Sequence, residues 1–239
     1  IVRTILGANL AMCLKQGSLL LGWAYATSKA TRLGPAHVAA HQVALSFWLV
    51  FALWLDGAGV AGQVLMSQLW SVRKQEERNQ VNGYDDESKT ANVKERIASL
   101  TKYMMRTATI QGVFSSVLIS ILGIFVPTVF TKDPTIRVHL RNLMPDLVLQ
   151  QTLISWTLVM ESLAVGTNSF GMLAFGNILS TVLSVWMTQH STSVSQIWSR
   201  GIVSLFAGRL FTALIAVFRA NEWPRPRSRE EEAPSTATG

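Results

Sequence analysis

Charge is scarce in this chain. Of its 239 residues only 15% are Asp, Glu, Lys or Arg, where a soluble domain carries about 25%. Hydrophobic residues make up 49%, and mean hydropathy is positive at +0.29. Cysteine is nearly absent: Cys13 alone excludes an intrachain disulfide and any cysteine-based metal cluster, and reads as small apolar filler. There is no nucleophile elbow, no Gly-rich phosphate loop ahead of a helix and no carboxylate pair at hydrolase spacing, so an enzyme is not expected. His37 and His41 share a helical face, but Val38 stands where a zinc-protease motif has Glu, so neither a metal nor another cofactor is expected. The formal net charge of +7 does not mark a nucleic-acid partner, because most Lys and Arg fall between apolar blocks. The first segment holds Arg3 and Lys15 and no small-residue cleavage site, so it does not read as a signal peptide.

What the chain has in abundance is apolar runs of bilayer length. A spanning helix needs about 20 mainly apolar residues, and six such runs are predicted at 5–30, 38–68, 104–130, 143–164, 172–187 and 198–218. The expected fold is an all-α integral membrane bundle of about six transmembrane helices. Its parts are two helices in 1–69, a cytoplasmic loop with helical flanks in 70–103, four helices in 104–219 and a disordered cytoplasmic tail in 220–239. Gly34 and Pro35 suit a helix end followed by a helix start, and Pro145 either opens or kinks the fourth helix. Basic residues concentrate in the 70–103 loop and the tail, which places these and both termini in the cytoplasm and leaves the kind of membrane open.

Charges inside the runs are the candidate functional groups. Asp56 is the only formal charge between Val38 and Leu65, and a carboxylate near mid-bilayer costs at least ~2.5 kcal/mol unless turned inward, paired, protonated or used. Glu161 is the second acid at membrane depth. It reads either as a partner in ion coupling or as a helix-end acid reaching for the interface. Lys15 and Arg209 are available to neutralise these acids, in which case the charges form a structural ion-pair network. The Gly and Ala residues of 57–62 favour close helix packing.

The segment RLGPAHVAAHQVALSFWLVFALWLDGAGVAGQVLMSQ resembles the MATE family of multidrug and toxic compound extrusion transporters, in particular its DinF-like branch. The resemblance rests on Arg32-Leu33-Gly34, Ala39-Ala40-His41-Gln42, Trp48, Asp56-Gly57 and Val60-Ala61-Gly62-Gln63, which look like the junction and body of that family's seventh and eighth helices. Met144-Pro145 and ESLAVGTNSF are similar to its tenth helix and the turn that follows, and IWSRGIVSLFAGRLF to its twelfth. The chain departs from the pattern at Glu161-Ser162 and Asn168, where members often have Asp-Gly and Asp, and at Lys15, where plant-like relatives tend to have Arg.

The resemblance implies one lobe, the C-terminal one, of a two-lobe twelve-helix transporter, with an N-terminal lobe of the same polypeptide as partner. Substrates would be small organic molecules, exported by alternating access against protons or sodium ions at the interface between lobes. Asp56 and Glu161 are then candidate ion sites, with Lys15 and Gln63 shaping the cavity wall. Alternatives are a lipid-linked oligosaccharide flippase of related fold and a non-transporting membrane scaffold formed by a degenerate lobe.

Overall fold

The computed structural model describes residues 2–81 and 87–222. Residues 82–86 of the expected loop and the tail beyond 222 lie outside the described residues. Helices are α1 (Val2–Leu33), α2 (Pro35–Val81), α3 (Glu87–Leu122), the short α4 (Val126–Phe130), α5 (Pro134–Gly166), α6 (Phe170–Gln189), the turn α7 (Val194–Gln196), a π-helical segment (Ile197–Ile202) and α8 (Val203–Glu222). Six helical stretches are long and apolar enough to cross a membrane, and among the described residues there is no strand. The protein is a multi-pass, all-α membrane bundle.

The distribution of side chains matches lipid as the surrounding solvent. Leu53, Val117, Leu149, Phe175, Val182 and Phe211 are more than half exposed, while Gln150, Gln151, Ser155, Thr157, Glu161, Asn177 and Arg209 are buried. With no water to serve them, hydroxyls bond helix carbonyls. Thr109 donates to Met105, Ser120 to Ser116 and Thr157 to Leu153 within their own helices, and Ser116 donates across to Val148 and Ser155 to Ala108.

Close contacts fix the helix directions. Gly59 meets Ser162 and Gly166 meets Met66, so α2 and α5 run parallel; Ser116–Val148 and Ser155–Ala108 make α3 and α5 antiparallel. Thr181 donates to the Ser18 carbonyl and Lys29 to that of Gln189, so α1 runs parallel to α6, while Ser184 bonding Gly201 and Ser180 touching Gly208 set α6 against α8. The spans therefore alternate up and down. Val2, Glu222 and the facing ends of α2 and α3 share one face, called here the terminal face; the opposite face carries the α1–α2 corner at Gly34.

That corner needs glycine. Gly34 sits at φ +125°, a region closed to most L-residues, and Pro35 starts α2 where its missing N–H costs nothing. The fourth span begins earlier than expected, at Pro134, with the Asp133 side chain accepting from the Thr135 and Ile136 amides; Pro145 lies inside the helix. The third span ends at Leu122 instead of running to 130. Gly123 donates back to the Ile119 carbonyl at 2.7 Å and α4 restarts around Pro127. Most of 70–103 is helix: α2 continues to Val81 and α3 starts at Glu87, and Trp70, Val93 and Ile97 are buried together. At 47 residues α2 spans about 70 Å, more than twice a ~30 Å hydrocarbon core, so its last turns stand clear of lipid. Arg73 ties this extension to the end of α8, donating to the Ala220 carbonyl at 2.9 Å and pairing with Glu77 at 2.9 Å.

The α6–α8 seam is built from small residues. A Cβ on Gly208 would lie 2.5 Å from the Ser180 hydroxyl, and Gly176 and Gly201 press on Thr212 and Thr188. Gly208→Val is expected to lower stability by about 1–3 kcal/mol through overpacking. Gly57→Ala, where nothing lies within 4 Å of the new methyl, should be neutral or stabilising by up to about 1 kcal/mol. Unfolding titrations of the two variants in detergent micelles check both; similar midpoints would contradict the packing assignment.

Candidate functional site: an ion cluster and an unpaired carboxylate

Four helices meet at Glu161. Its residue is 3% exposed, and four donors cover its two oxygens. Oε1 accepts from Arg209 Nε at 2.7 Å and Asn177 Nδ2 at 3.3 Å; Oε2 accepts from Arg209 NH2 at 2.8 Å and Lys15 Nζ at 2.8 Å. A carboxylate has about four lone-pair positions, so Glu161 is saturated. The Arg209 contact is the bidentate fork that lysine cannot make. The helix-end reading of Glu161 is therefore corrected: the side chain points into the bundle, because a base from α8 and another from α1 reach it there.

Neighbouring contacts hold the donors in place. The Arg209 guanidinium lies 4.9 Å from the Phe206 ring centroid, and Asn177 also donates to the Leu173 carbonyl one turn back at 2.9 Å. Lys15 stands one turn before Ser18, whose hydroxyl bonds the Lys15 carbonyl while its own carbonyl accepts from Thr181. Two cations against one anion leave the cluster with a formal charge of +1.

Asp56 is placed differently. It is half-buried and, among the described residues, has no hydrogen bond or ion pair. Gly59 against Leu158 and Ser162, and Gly62 against Leu163, set the α2–α5 register and put Asp56 about one helical turn from Glu161, toward the Gly34 face. Trp23 against Trp48 and Thr27 bonding His41 set the α1–α2 register, and its continuation brings Lys15 to the depth of the Asp56 turn. Six residues separate Asp56 from Gly62, which touches Met104 of α3. Asp56 thus lies about a third of a turn round α2 from the α3 side. Gln63, seven residues on, shares that flank, is half-buried and makes no side-chain hydrogen bond. The structure joins Lys15 to Glu161; it does not join Asp56 or Gln63 to them.

Toward the Gly34 face α1, α2 and α8 are locked by aromatic rings. Trp23 lies 4.7 Å from Trp48 and 5.6 Å from Trp198, and Trp48 lies 5.8 Å from Phe206. The Trp198 indole, a donor only, bonds His41 Nδ1 at 3.1 Å, so the neutral ring carries its proton on Nε2 and donates to Thr27. His41 is buried and engaged at both nitrogens, and His37 faces His139 instead, 4.0 Å between centroids. No group of three or more metal-ligating side chains exists among the described residues. At the other end of α1, no described side chain from 2 to 14 is buried. Helix α1 is clamped near Gly34, tethered at Lys15 and unpacked beyond it.

Sequence reasoning missed Asn177. The available signal was an amide inside an apolar helix, where an unsatisfied polar group is costly. In comparisons with known proteins, no family model, no curated protein and no solved structure matches the chain.

Glu161→Gln would leave Lys15 and Arg209 buried without a counter-charge, and a loss of about 3–5 kcal/mol is expected. Replacing all three charges at once, by Lys15→Met, Glu161→Leu and Arg209→Met, should recover most of that loss. Unfolding midpoints of the single and triple variants provide the check; a triple variant as unstable as Glu161→Gln would show that the uncompensated charges do not account for the loss.

Proposed function

We propose that this chain is the C-terminal lobe of a MATE-like secondary transporter, which exports small organic molecules in exchange for protons or sodium ions by alternating access. The observation that carries the reading is the contrast between the two membrane acids: Glu161 is saturated with donors, and Asp56 has none among the described residues. An acid with every lone pair engaged takes up a proton or a sodium ion only by losing a donor. An unpaired acid at the same membrane level binds either one directly, and its charge is costly until it does.

In this reading Asp56 is the ion acceptor and Glu161 the lock. Binding of a cation at Asp56 removes its pull on Lys15, which stays on Glu161. Release of the cation bares a second carboxylate at the depth of Lys15, and the ammonium, on four flexible carbons, is the one member of the cluster able to divide itself between two acids. Arg209 keeps Glu161 paired meanwhile. Lys15 is also the last buried anchor of α1 before its unpacked stretch, so a change of partner there is felt as a change in the angle of α1. Gln63 lines the same flank of α2 and supplies an amide for substrate or ion.

The scaffold reading is favoured by the same saturation of Glu161, since a fully satisfied ion cluster needs no transport to explain it. The two readings separate at Asp56. In the polypeptide carrying both lobes, Asp56→Asn is expected to abolish cation-driven efflux of a fluorescent organic cation from loaded vesicles, with membrane insertion and unfolding midpoint unchanged. Normal efflux by that variant removes Asp56 from the mechanism. Absence of driven efflux from the parent protein in either ion gradient supports the scaffold.

A further inference from the structure

We infer that the groove between α3 and α5, on the half of the bundle toward the Gly34 face, holds one acyl chain of an anionic glycerophospholipid whose phosphate sits on Arg141. The groove has a volume of about 450 Å³ and is lined by Ile119, Ile124, Met144, Pro145 and Leu149, with Arg141 at its mouth. That volume lies within the range of ~300–1,000 Å³ typical of small-molecule sites. Its walls belong to two spanning helices, so the solvent at its opening is lipid. Ile124 is 70% and Leu149 78% exposed, which leaves the walls uncovered by the rest of the chain.

Two observations select an anionic lipid. Arg141 lies two turns into α5 and, by the register that sets Gly59 against Ser162, level with the second turn of α2 at the Gly34 end of the bundle, toward the headgroups, while Met144, Pro145 and Leu149 descend from it by one and two turns. Arg141 is exposed and has no acidic partner among the described residues; neither has Arg137, one turn earlier on the same side of α5, whose Nε donates to the Thr131 carbonyl. Two cations at this spacing repel unless an anion lies between or beside them. A guanidinium for phosphate and an apolar trough running inward from it follow one another in the order found along a phospholipid.

Native mass spectrometry of the full chain in detergent, with phosphatidylglycerol and phosphatidylcholine supplied at equal concentration, tests this. The parent protein is expected to retain one phospholipid and to prefer phosphatidylglycerol about tenfold, because the choline cation of phosphatidylcholine is repelled by Arg141 and Arg137 while both lipids offer the phosphate. Arg141→Ala, an exposed change, should reduce the preference to about twofold or less. Ser120→Trp, which puts an indole into the groove from an exposed position on its wall, should lower retention of both lipids. Arg200→Ala, an exposed cation outside the groove, should change neither. Undiminished preference in Arg141→Ala overturns the proposal, as does retention unchanged by Ser120→Trp. A parent that binds no lipid and dimerises, with Ser120→Trp restoring the monomer, assigns the groove to a second copy and overturns it too.

Discussion

Three formal charges buried where no water can reach them constrain everything around Glu161. Each charge alone is expensive in a bilayer, and the cluster is tolerable only while α1, α5, α6 and α8 keep their donors and acceptors within about 3 Å of one another. Hydrophobic burial cannot impose that arrangement, because lipid tails are as apolar as the helices they surround. The cluster supplies instead a geometrical requirement: a helix that shifts by one residue strands a charge. Register is thereby fixed for four of the six spans from a single point.

The remaining precision comes from close backbone approach and from backbone groups that must find partners within the bundle. The π-helical segment Ile197–Ile202 shows how the two are combined. Widening the helix there misaligns its carbonyls, and neighbours collect them: Gln150 of α5 donates to the Trp198 carbonyl at 3.1 Å and Ser184 of α6 to that of Gly201 at 2.7 Å. The same segment turns Trp198 into the aromatic lock with Trp23 and His41. A local irregularity that would be a defect in isolation becomes the point where four helices are tied to the last one.

Much of this was legible in the sequence because it depends on local chemistry. Run length gives the six spans, Gly34-Pro35 gives the first corner, and the position of Lys15, Asp56, Glu161 and Arg209 inside apolar runs marks them before any folding is known. What was not legible depends on rotation and register. Whether Glu161 met lysine, arginine, both or the interface is decided by which way α5 faces relative to α1 and α8, and the apolar pattern of α5 is too uniform to say, since much of its circumference is buried. Asn177 escaped because one amide in an apolar helix has several possible partners. The helical character of 70–103 was underestimated because its charges suggest solvent, whereas α2 and α3 carry their apolar seam, through Trp70, Val93 and Ile97, past the length a bilayer requires.

The asymmetry of α1 follows from the same accounting. Its half near Gly34 is held by rings and hydrogen bonds, and in its half near the terminal face no described side chain through residue 14 is fully buried. Lys15 lies at the boundary, so the energy holding the free half depends on one ammonium and one carboxylate. Arg209 makes that dependence reversible: because it grips both oxygens of Glu161, withdrawal of Lys15 would leave a paired acid and not a bare one. With one base fixed by its planar fork and the other on an alkyl stem, loss of the lysine contact would leave a paired carboxylate and one unpaired ammonium, a smaller cost than losing both bases from Glu161.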